Sequence, residues 1–161
     1  MMTLVHGTCV AFGADGVLIL GPSGSGKSDL ALRLIDEHGS GGDGEPMSCA
    51  LVSDDQVVLR RSGDALIASP PEALRGLIEV RGLGIVRVMA TRPSAALRLV
   101  VTFAQRETID RLPDFGAQTI EVANTRLPEL RVSPWDISTT AKIRVAITAF
   151  RRNVSSSTLA V

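Results

Sequence analysis

Residues 21–28 read GPSGSGKS, an eight-residue pattern that few backbone arrangements can accommodate. It matches G-x-x-x-x-G-K-[ST], in which a glycine-rich turn presents backbone N–H groups to phosphate oxygens at the N-terminus of a helix. The apolar run 16–20 is typical of a buried strand, and residues 29–35 repeat apolar side chains at helical spacing. We therefore expect a strand, a phosphate-binding loop and a helix in this order.

Each residue type in this phosphate-binding loop (residues 21–28) has a chemical task. Glycines adopt backbone conformations that a side chain would forbid, Lys27 can reach the β- and γ-phosphates, and the Ser28 hydroxyl can ligate Mg²⁺. An isolated match could be an ordinary turn, but the flanking strand and helix favour a nucleotide site. The predicted nucleotide-binding residues are Gly21, Pro22, Ser23, Gly24, Ser25, Gly26, Lys27 and Ser28.

Size and charge limit the remaining possibilities. The 161 residues suffice for one compact domain, which we place at residues 1–152, followed by a frayed polar tail at 153–161. Seventeen basic residues cancel seventeen acidic ones, so composition indicates neither a nucleic-acid partner nor a membrane surface. Two cysteines, Cys9 and Cys49, are too few for a disulfide framework, and this favours buried thiols in a reducing cytoplasm.

The remaining pattern predicts an α/β fold with a strand-rich mixed sheet and few helices. Turn signals at 13–16 and 62–64 each indicate a hairpin, and residues 139–152 carry a second helical pattern. The predicted strands are 8–11, 17–20, 49–52, 56–60, 65–68, 77–80, 85–89 and 97–103.

Acidic side chains follow two of these strands. Asp54 and Asp55 come directly after 49–52, and neighbouring positions on a strand point to opposite faces, so we expect separate roles for them. One carboxylate would face the γ-phosphate while the other anchors the turn, and a solvated aspartate pair is the structural alternative. Glu79 and Arg81 share one face of an extended segment and could flank the same phosphates. A surface ion pair would explain them equally well at this stage.

The order of four segments resembles the catalytic domain of the HPr kinase/phosphorylase family. These segments are His6-Gly7 and residues 16–28, 51–55 and 79–85, and the resemblance extends to about residue 112. The family transfers phosphate from ATP to a serine of HPr, the small phosphocarrier protein of the sugar phosphotransferase system. Many members also remove that phosphate with inorganic phosphate. The chain is similar to short forms that lack the additional N-terminal domain.

The resemblance implies roles for individual residues. Asp55 resembles the general base that accepts the serine proton and returns it in the reverse reaction. Lys27 resembles the catalytic lysine that binds phosphate, while Ser28 and Glu79 resemble the two positions that bind Mg²⁺.

Two further residues match the family in their local setting. His6 stands at the distance before the phosphate-binding loop that is typical of a catalytic-site histidine, although a lone histidine beside a strand is more often structural. Arg111, within Ile109-Asp110-Arg111-Leu112, resembles the family's active-site arginine.

One segment departs from the family pattern. Its members have a proline-glycine-arginine-asparagine stretch before the last helix, but residues 131–140 read RVSPWDISTT, without that arginine. Losing a cation that could hold inorganic phosphate weakens the reverse reaction more than the forward one. We therefore expect HPr kinase activity with weak or absent phosphorylase activity. Trp135 could be a core anchor or an interface residue.

The family also implies an assembly and a protein partner. Its members form hexamers, so we expect a homo-oligomer that binds HPr near the 82–84 turn and the last helix. Two other functions stay open at this point. A small-molecule kinase would carry a similar phosphate-binding loop, but it usually has an arginine-rich lid, which is not evident here. A nucleotide-binding regulatory module without catalysis is the second alternative.

Overall fold

A curled, strand-rich sheet and two helices form the protein. The computed structural model describes residues 1–152, and the predicted tail at 153–161 lies outside them. Helix α1 spans Lys27–Asp36 and α2 spans Thr139–Arg151, and two 3-10 turns lie at Glu72–Leu74 and Arg106–Thr108. The strands are β1 (Met2–His6), β2 (Thr8–Phe12), β3 (Asp15–Leu20), β4 (Ala50–Ser53), β5 (Gln56–Ser62), β6 (Ala65–Ser69), β7 (Leu77–Val80), β8 (Gly84–Arg87), β9 (Ala95–Phe103), β10 (Thr119–Val122) and β11 (Thr125–Val132).

The main sheet is mixed, as predicted. Its strands follow the order β1-β5-β6-β9-β3-β2-β4, and β11 joins through β9 and carries β10 as its antiparallel partner. The β3–β9 and β9–β11 pairs are parallel, whereas the other pairs are antiparallel. Strands β7 and β8 form a separate ribbon. The sequence therefore predicted the fold class correctly.

The parallel strands determine where the loops of interest emerge. Leu20, the last residue of β3, pairs with Thr102, and Val132, the last residue of β11, pairs with Phe103. Because parallel strands end at the same edge, the loop after β3 and the segment after β11 leave the sheet side by side. Residues 21–28 and 133–136, which are over 100 positions apart, are thus brought together.

Both faces of the central strands are buried. In β2, Val10 and Phe12 point into the core beneath the helices, whereas Cys9 and Ala11 point into a second core on the other face. This alternation with period two explains why the central strands read as continuous apolar runs. Helices α1 and α2 pack on the first face through fully or almost fully buried residues, which include Leu30, Ala31, Leu34, Ile143, Ala146 and Ile147.

A buried arginine joins the two helices. Arg144 on α2 is 2% exposed, and its guanidinium donates to the carbonyl oxygens of Leu34 and Glu37 at 2.8 and 2.9 Å. It also lies 3.3 Å from the Glu37 carboxylate and 5.6 Å from the centre of the Phe12 ring. The last carbonyl groups of a helix find no N–H donor within the helix, and they lie at the negative end of the helix dipole. Arg144 donates to these carbonyls and so caps α1 with a full positive charge.

Most predicted elements are present. Both hairpins and both helices are confirmed, with shifts of at most two residues at their ends. Strands β1, β10 and β11 were not predicted. Cys9 and Cys49 are free and buried, as expected. Neither helix within residues 1–152 has the length and apolarity that a membrane crossing requires.

Candidate active site

The phosphate-binding loop joins β3 to α1 with the geometry that its glycines permit. Gly24 and Gly26 have φ angles of 77° and 103°, which side-chain-bearing residues rarely adopt. Gly26 precedes the first helical residue, and no side chain caps the helix there. The backbone N–H groups of residues 27–29 have no acceptor within the helix, and the positive end of the helix dipole lies beside them. This end of α1 is therefore suited to bind an anion.

Lys27 lies folded against its own loop. Its side chain is 6% exposed, and its Nζ donates to the carbonyl oxygens of Gly21 and Pro22 at 2.8 and 2.9 Å. Burial lowers the pKa of the Lys27 ammonium, and the nearby carboxylates of Asp54 and Asp55 oppose that shift. A cation is thus placed within the loop where bound phosphate oxygens would collect.

Asp54 is a hydrogen-bonding hub at the end of β4. It is 4% exposed, and Oδ1 accepts from Thr8 Oγ1 at 2.7 Å and from Ser28 Oγ at 2.8 Å. Its second carboxylate oxygen accepts from the backbone N–H of Glu79 at 3.1 Å. Asp54 therefore connects β2, the start of α1 and the β7–β8 ribbon.

Asp55 occupies a different environment from its neighbour. Its φ angle is 66°, a left-handed conformation that aspartate tolerates better than most residues, and its side chain is 65% exposed. Oδ1 lies 3.5 Å from His6 Nδ1, and the Asp55 carbonyl accepts from the backbone N–H of Gly7 at 3.0 Å. One aspartate is thus buried and hydrogen-bonded, whereas the other presents its carboxylate to an incoming molecule. Their separate environments agree with the sequence-based expectation.

These groups surround one cavity of about 470 Å³. Its lining includes most of the phosphate-binding loop together with His6, Asp55 and Glu79, so the structure brings these predicted residues together. The other three predicted loop residues, Gly21, Pro22 and Ser25, do not line the cavity. Arg111 is exposed on the loop that follows β9 and does not line the cavity, so its active-site role stays a prediction.

Seven lining residues were not among the predicted site residues. Three of them are Asp29, Leu32 and Val80, and the other four are Thr8, Asp54, Arg81 and Trp135. The sequence offered a signal for Arg81, which shares a face with Glu79, and for Asp54, which adjoins Asp55. Trp135 had no local signal, because its position depends on the β3–β9–β11 register.

The oxygen donors of the cavity are compatible with Mg²⁺ bound together with phosphate. Ser28 offers a hydroxyl, and Asp54 and Glu79 offer carboxylates, which are hard oxygen ligands of the type that Mg²⁺ prefers. Within residues 1–152 no group of three His, Cys, Asp or Glu side chains is arranged to hold a metal ion by itself. Mg²⁺ usually binds through one or two carboxylates plus substrate phosphates and waters, so this donor set fits it.

A second cavity of about 680 Å³ is larger but has different chemistry. It lies beside β9, β11 and the end of α2, and its lining includes Asp15, Arg98, Arg126 and Arg151. Asp15 pairs with Arg98 at 3.2 Å and with Arg151 at 2.7 Å, so one carboxylate is shared between two guanidinium groups. None of the motif residues lines it. The smaller cavity is therefore the candidate active site, because it holds the phosphate-binding loop.

Comparison with known proteins agrees with this geometry. The family model described as HPr Serine kinase C-terminal domain matches residues 1–160. The HPr kinase/phosphorylase of Bacillus licheniformis is 36% identical over 140 residues, which cover 81% of this chain and 42% of that protein. The protein of the same name from Streptococcus mutans is 32% identical over 161 residues, covering 94% of this chain and 47% of its own length. The chain spans less than half the length of these relatives.

A solved structure confirms the architecture. The Hpr(Ser) kinase/phosphatase from Coxiella burnetii superposes with a TM-score of 0.75 at 24% sequence identity. The match covers 96% of this chain and 99% of that one. Together with the family-model match over nearly the whole sequence, these findings show that the chain belongs to the HPr serine kinase C-terminal domain family.

Proposed function

We propose that this protein is an ATP-dependent kinase that phosphorylates a serine of the phosphocarrier protein HPr. One observation carries the proposal: a single cavity joins an anion-binding helix terminus to an exposed carboxylate. Lys27 and Ser28 lie at the first, and Asp55 supplies the second. Phosphoryl transfer requires both, since charge must be neutralised on the phosphate while the acceptor hydroxyl loses its proton.

The phosphate end of the cavity would hold and orient the triphosphate of ATP. The N–H groups at the start of α1 and the Lys27 ammonium would stabilise the charge on the transferring group. Mg²⁺, when bound with the nucleotide, would neutralise phosphate oxygens, with Ser28 and Glu79 as its protein ligands. Asp54 holds the Ser28 hydroxyl at 2.8 Å and so fixes its orientation beforehand.

The acceptor end would activate the serine. Asp55 would accept the proton of the serine hydroxyl as its oxygen bonds to the γ-phosphorus and the bond to the ADP oxygen breaks. General-base catalysis of this kind contributes about 10²–10⁴-fold. His6, 3.5 Å from Asp55, would restrict the orientation of that carboxylate. Because the Asp55 side chain is 65% exposed, a serine on another protein can reach it.

The surface beside the cavity suits a protein substrate. Leu83 and Ile85, in and after the turn of the β7–β8 ribbon, are 79% and 67% exposed and lie close in sequence to the cavity residue Arg81. We propose that this ribbon and α2 form the docking surface for HPr. By resemblance to the family, we also propose that the protein forms a homo-oligomer, specifically a hexamer. We place the activity in the cytoplasm, where the free thiols of Cys9 and Cys49 stay reduced.

The altered segment before α2 supports a slow reverse reaction. Asp136, which stands where the family has its arginine, pairs with Lys142 at 3.5 Å and Arg106 at 3.8 Å. Both cations are thereby engaged away from the cavity, whose lining cations within residues 1–152 are Lys27, Arg81 and His6 when protonated. Binding inorganic phosphate beside a phosphorylated serine brings two anions together and demands additional positive charge. We therefore propose weak or absent phosphorylase activity.

Incubation with radiolabelled ATP, Mg²⁺ and HPr tests the forward reaction, with HPr lacking its acceptor serine as the control. Label on the serine supports the kinase. Label on a small molecule instead would favour a small-molecule kinase, and ATP binding without transfer would favour a regulatory module. For the reverse reaction, phosphoserine-HPr is mixed with enzyme, Mg²⁺ and phosphate, and pyrophosphate is measured. Release as fast as forward transfer would contradict the weak phosphorylase activity.

A further inference from the structure

Trp135 is a large aromatic side chain on the wall of the active-site cavity. It is 67% exposed, so it is not a core anchor, and it lines the same cavity as the phosphate-binding loop. Two atoms of its ring lie 3.0 Å from the position that a Cβ on Gly26 would occupy. The indole therefore packs closely against the loop at Gly26, where a Cβ would crowd the ring.

The backbone around Trp135 is held from several directions. The carbonyl of Pro134 accepts a hydrogen bond from Arg33 on α1. Asp136 pairs with Lys142 on α2, and its backbone N–H donates to the carbonyl of Ser133 at 3.3 Å. The ring itself packs against Gly26, and with only two χ angles it loses little conformational entropy when a ligand packs on it. Trp135 is thus a preorganised surface.

The cavity is chemically different at its two ends. Asp55 and His6 supply polar, titratable groups at the acceptor end. Leu32, one turn into α1, and Val80 are the large aliphatic residues of the lining. The Trp135 ring adds an aromatic face next to the anion-binding helix terminus. Aromatic faces bind the flat surface of a nucleobase, since every base has a π-face. Phosphate oxygens gain nothing from such a surface.

We propose that Trp135 is a specificity-determining residue on which the base of the nucleoside triphosphate stacks while its phosphates occupy residues 21–28. This inference rests on the proposed nucleotide-dependent function. Its consequence is a preference for ATP over inorganic pyrophosphate as the phosphoryl donor, because pyrophosphate has no group that can use the indole.

Binding measurements on matched variants test the proposal. Equilibrium dialysis gives the Kd values of Mg-ATP and Mg-pyrophosphate for the wild type and for Trp135→Leu, Trp135→Phe and Ile137→Ala. In the Leu variant, loss of the stacking contact with the base should raise the Kd of ATP by between about fivefold and 150-fold. The Kd of pyrophosphate stays unchanged, and the Phe variant keeps most of the ATP affinity. Ile137, which is 99% exposed in the same segment, serves as the control.

Fluorescence gives an independent measurement. Trp135 is the only tryptophan and the chain has no tyrosine, so emission excited at tryptophan wavelengths reports on this residue alone. Saturating Mg-ATP should change its emission more than saturating Mg-pyrophosphate does. Unchanged ATP affinity in the Leu variant, or equal losses for both ligands, would overturn the stacking role. A wild type that binds neither ligand would instead overturn the nucleotide site itself.

Discussion

Replacing Asp54 and Asp55 one at a time by asparagine should alter two different properties of the protein. Asp54 is buried and accepts hydrogen bonds from Thr8, Ser28 and the Glu79 backbone. An asparagine amide has one acceptor oxygen, and its NH₂ group cannot accept from these donors. At least one hydrogen bond to a charged group is lost, which is worth about 1.5–3 kcal/mol.

The net effect of Asp54→Asn is smaller than the sum of its contacts. Removing a buried negative charge relieves part of its desolvation cost, which offsets some of the loss. The carboxylate is well supplied with donors, so lost hydrogen bonds outweigh that relief, and we expect a destabilisation of about 2 kcal/mol. For a domain of this size such a change lowers Tm by roughly 4–8 °C.

Asp55→Asn should leave stability nearly unchanged and remove catalysis. Its side chain is mostly exposed, and its ion-pair partner His6 is also half exposed. An exposed pair of this kind contributes about 0–1 kcal/mol. ATP affinity should persist, because Asp55 lies at the acceptor end of the cavity. Transfer to HPr should fall by at least about 10²-fold, the scale of general-base catalysis.

Three assays separate the variants. Thermal unfolding followed by circular dichroism gives Tm, equilibrium dialysis gives ATP affinity, and label transfer from ATP to HPr gives activity. Asp64→Asn, in the exposed β5–β6 turn, is the matched control and should resemble the wild type. A normally active Asp55→Asn together with a stable but inactive Asp54→Asn would refute the assignment of roles.

Three further predictions concern other buried groups. Lys27→Ala should abolish measurable ATP binding by dialysis while the circular dichroism spectrum is retained; undiminished affinity would remove the phosphate-binding role. Arg144→Met should destabilise the fold by about 2–4 kcal/mol in urea titration, because the buried carbonyls of Leu34 and Glu37 lose their donor; a loss below about 1 kcal/mol would show that water replaces the guanidinium. Burial raises the pKa of Cys49 to about 12 and the pKa of Cys9 still further, so neither forms thiolate at pH 8. Both should resist a thiol reagent in the native protein and react in urea, and rapid native labelling would contradict their burial.

The sequence predicted those parts of the site that are local in the chain. The strand, loop and helix at 15–36 follow from glycine positions and apolar spacing, and the aspartates at the end of β4 follow from strand alternation. Strand β11 was missed because Pro128 lies within it, and proline weakens a strand assignment. Trp135 reaches the cavity only through the parallel register of β11 with β9. No pattern within a short window contains that information.

Strand β9 also has a consequence for how a new chain folds. It pairs with β3 on one side and with both β6 and β11 on the other. The strand that carries the phosphate-binding loop therefore lacks its neighbour until residue 103 has been synthesised, 83 positions after Leu20. At ribosomal rates of about 5–20 residues per second this takes roughly 4–17 s. During that interval the β2–β3 hairpin has apolar side chains on both faces and an unpaired edge, which makes the nascent chain vulnerable to aggregation.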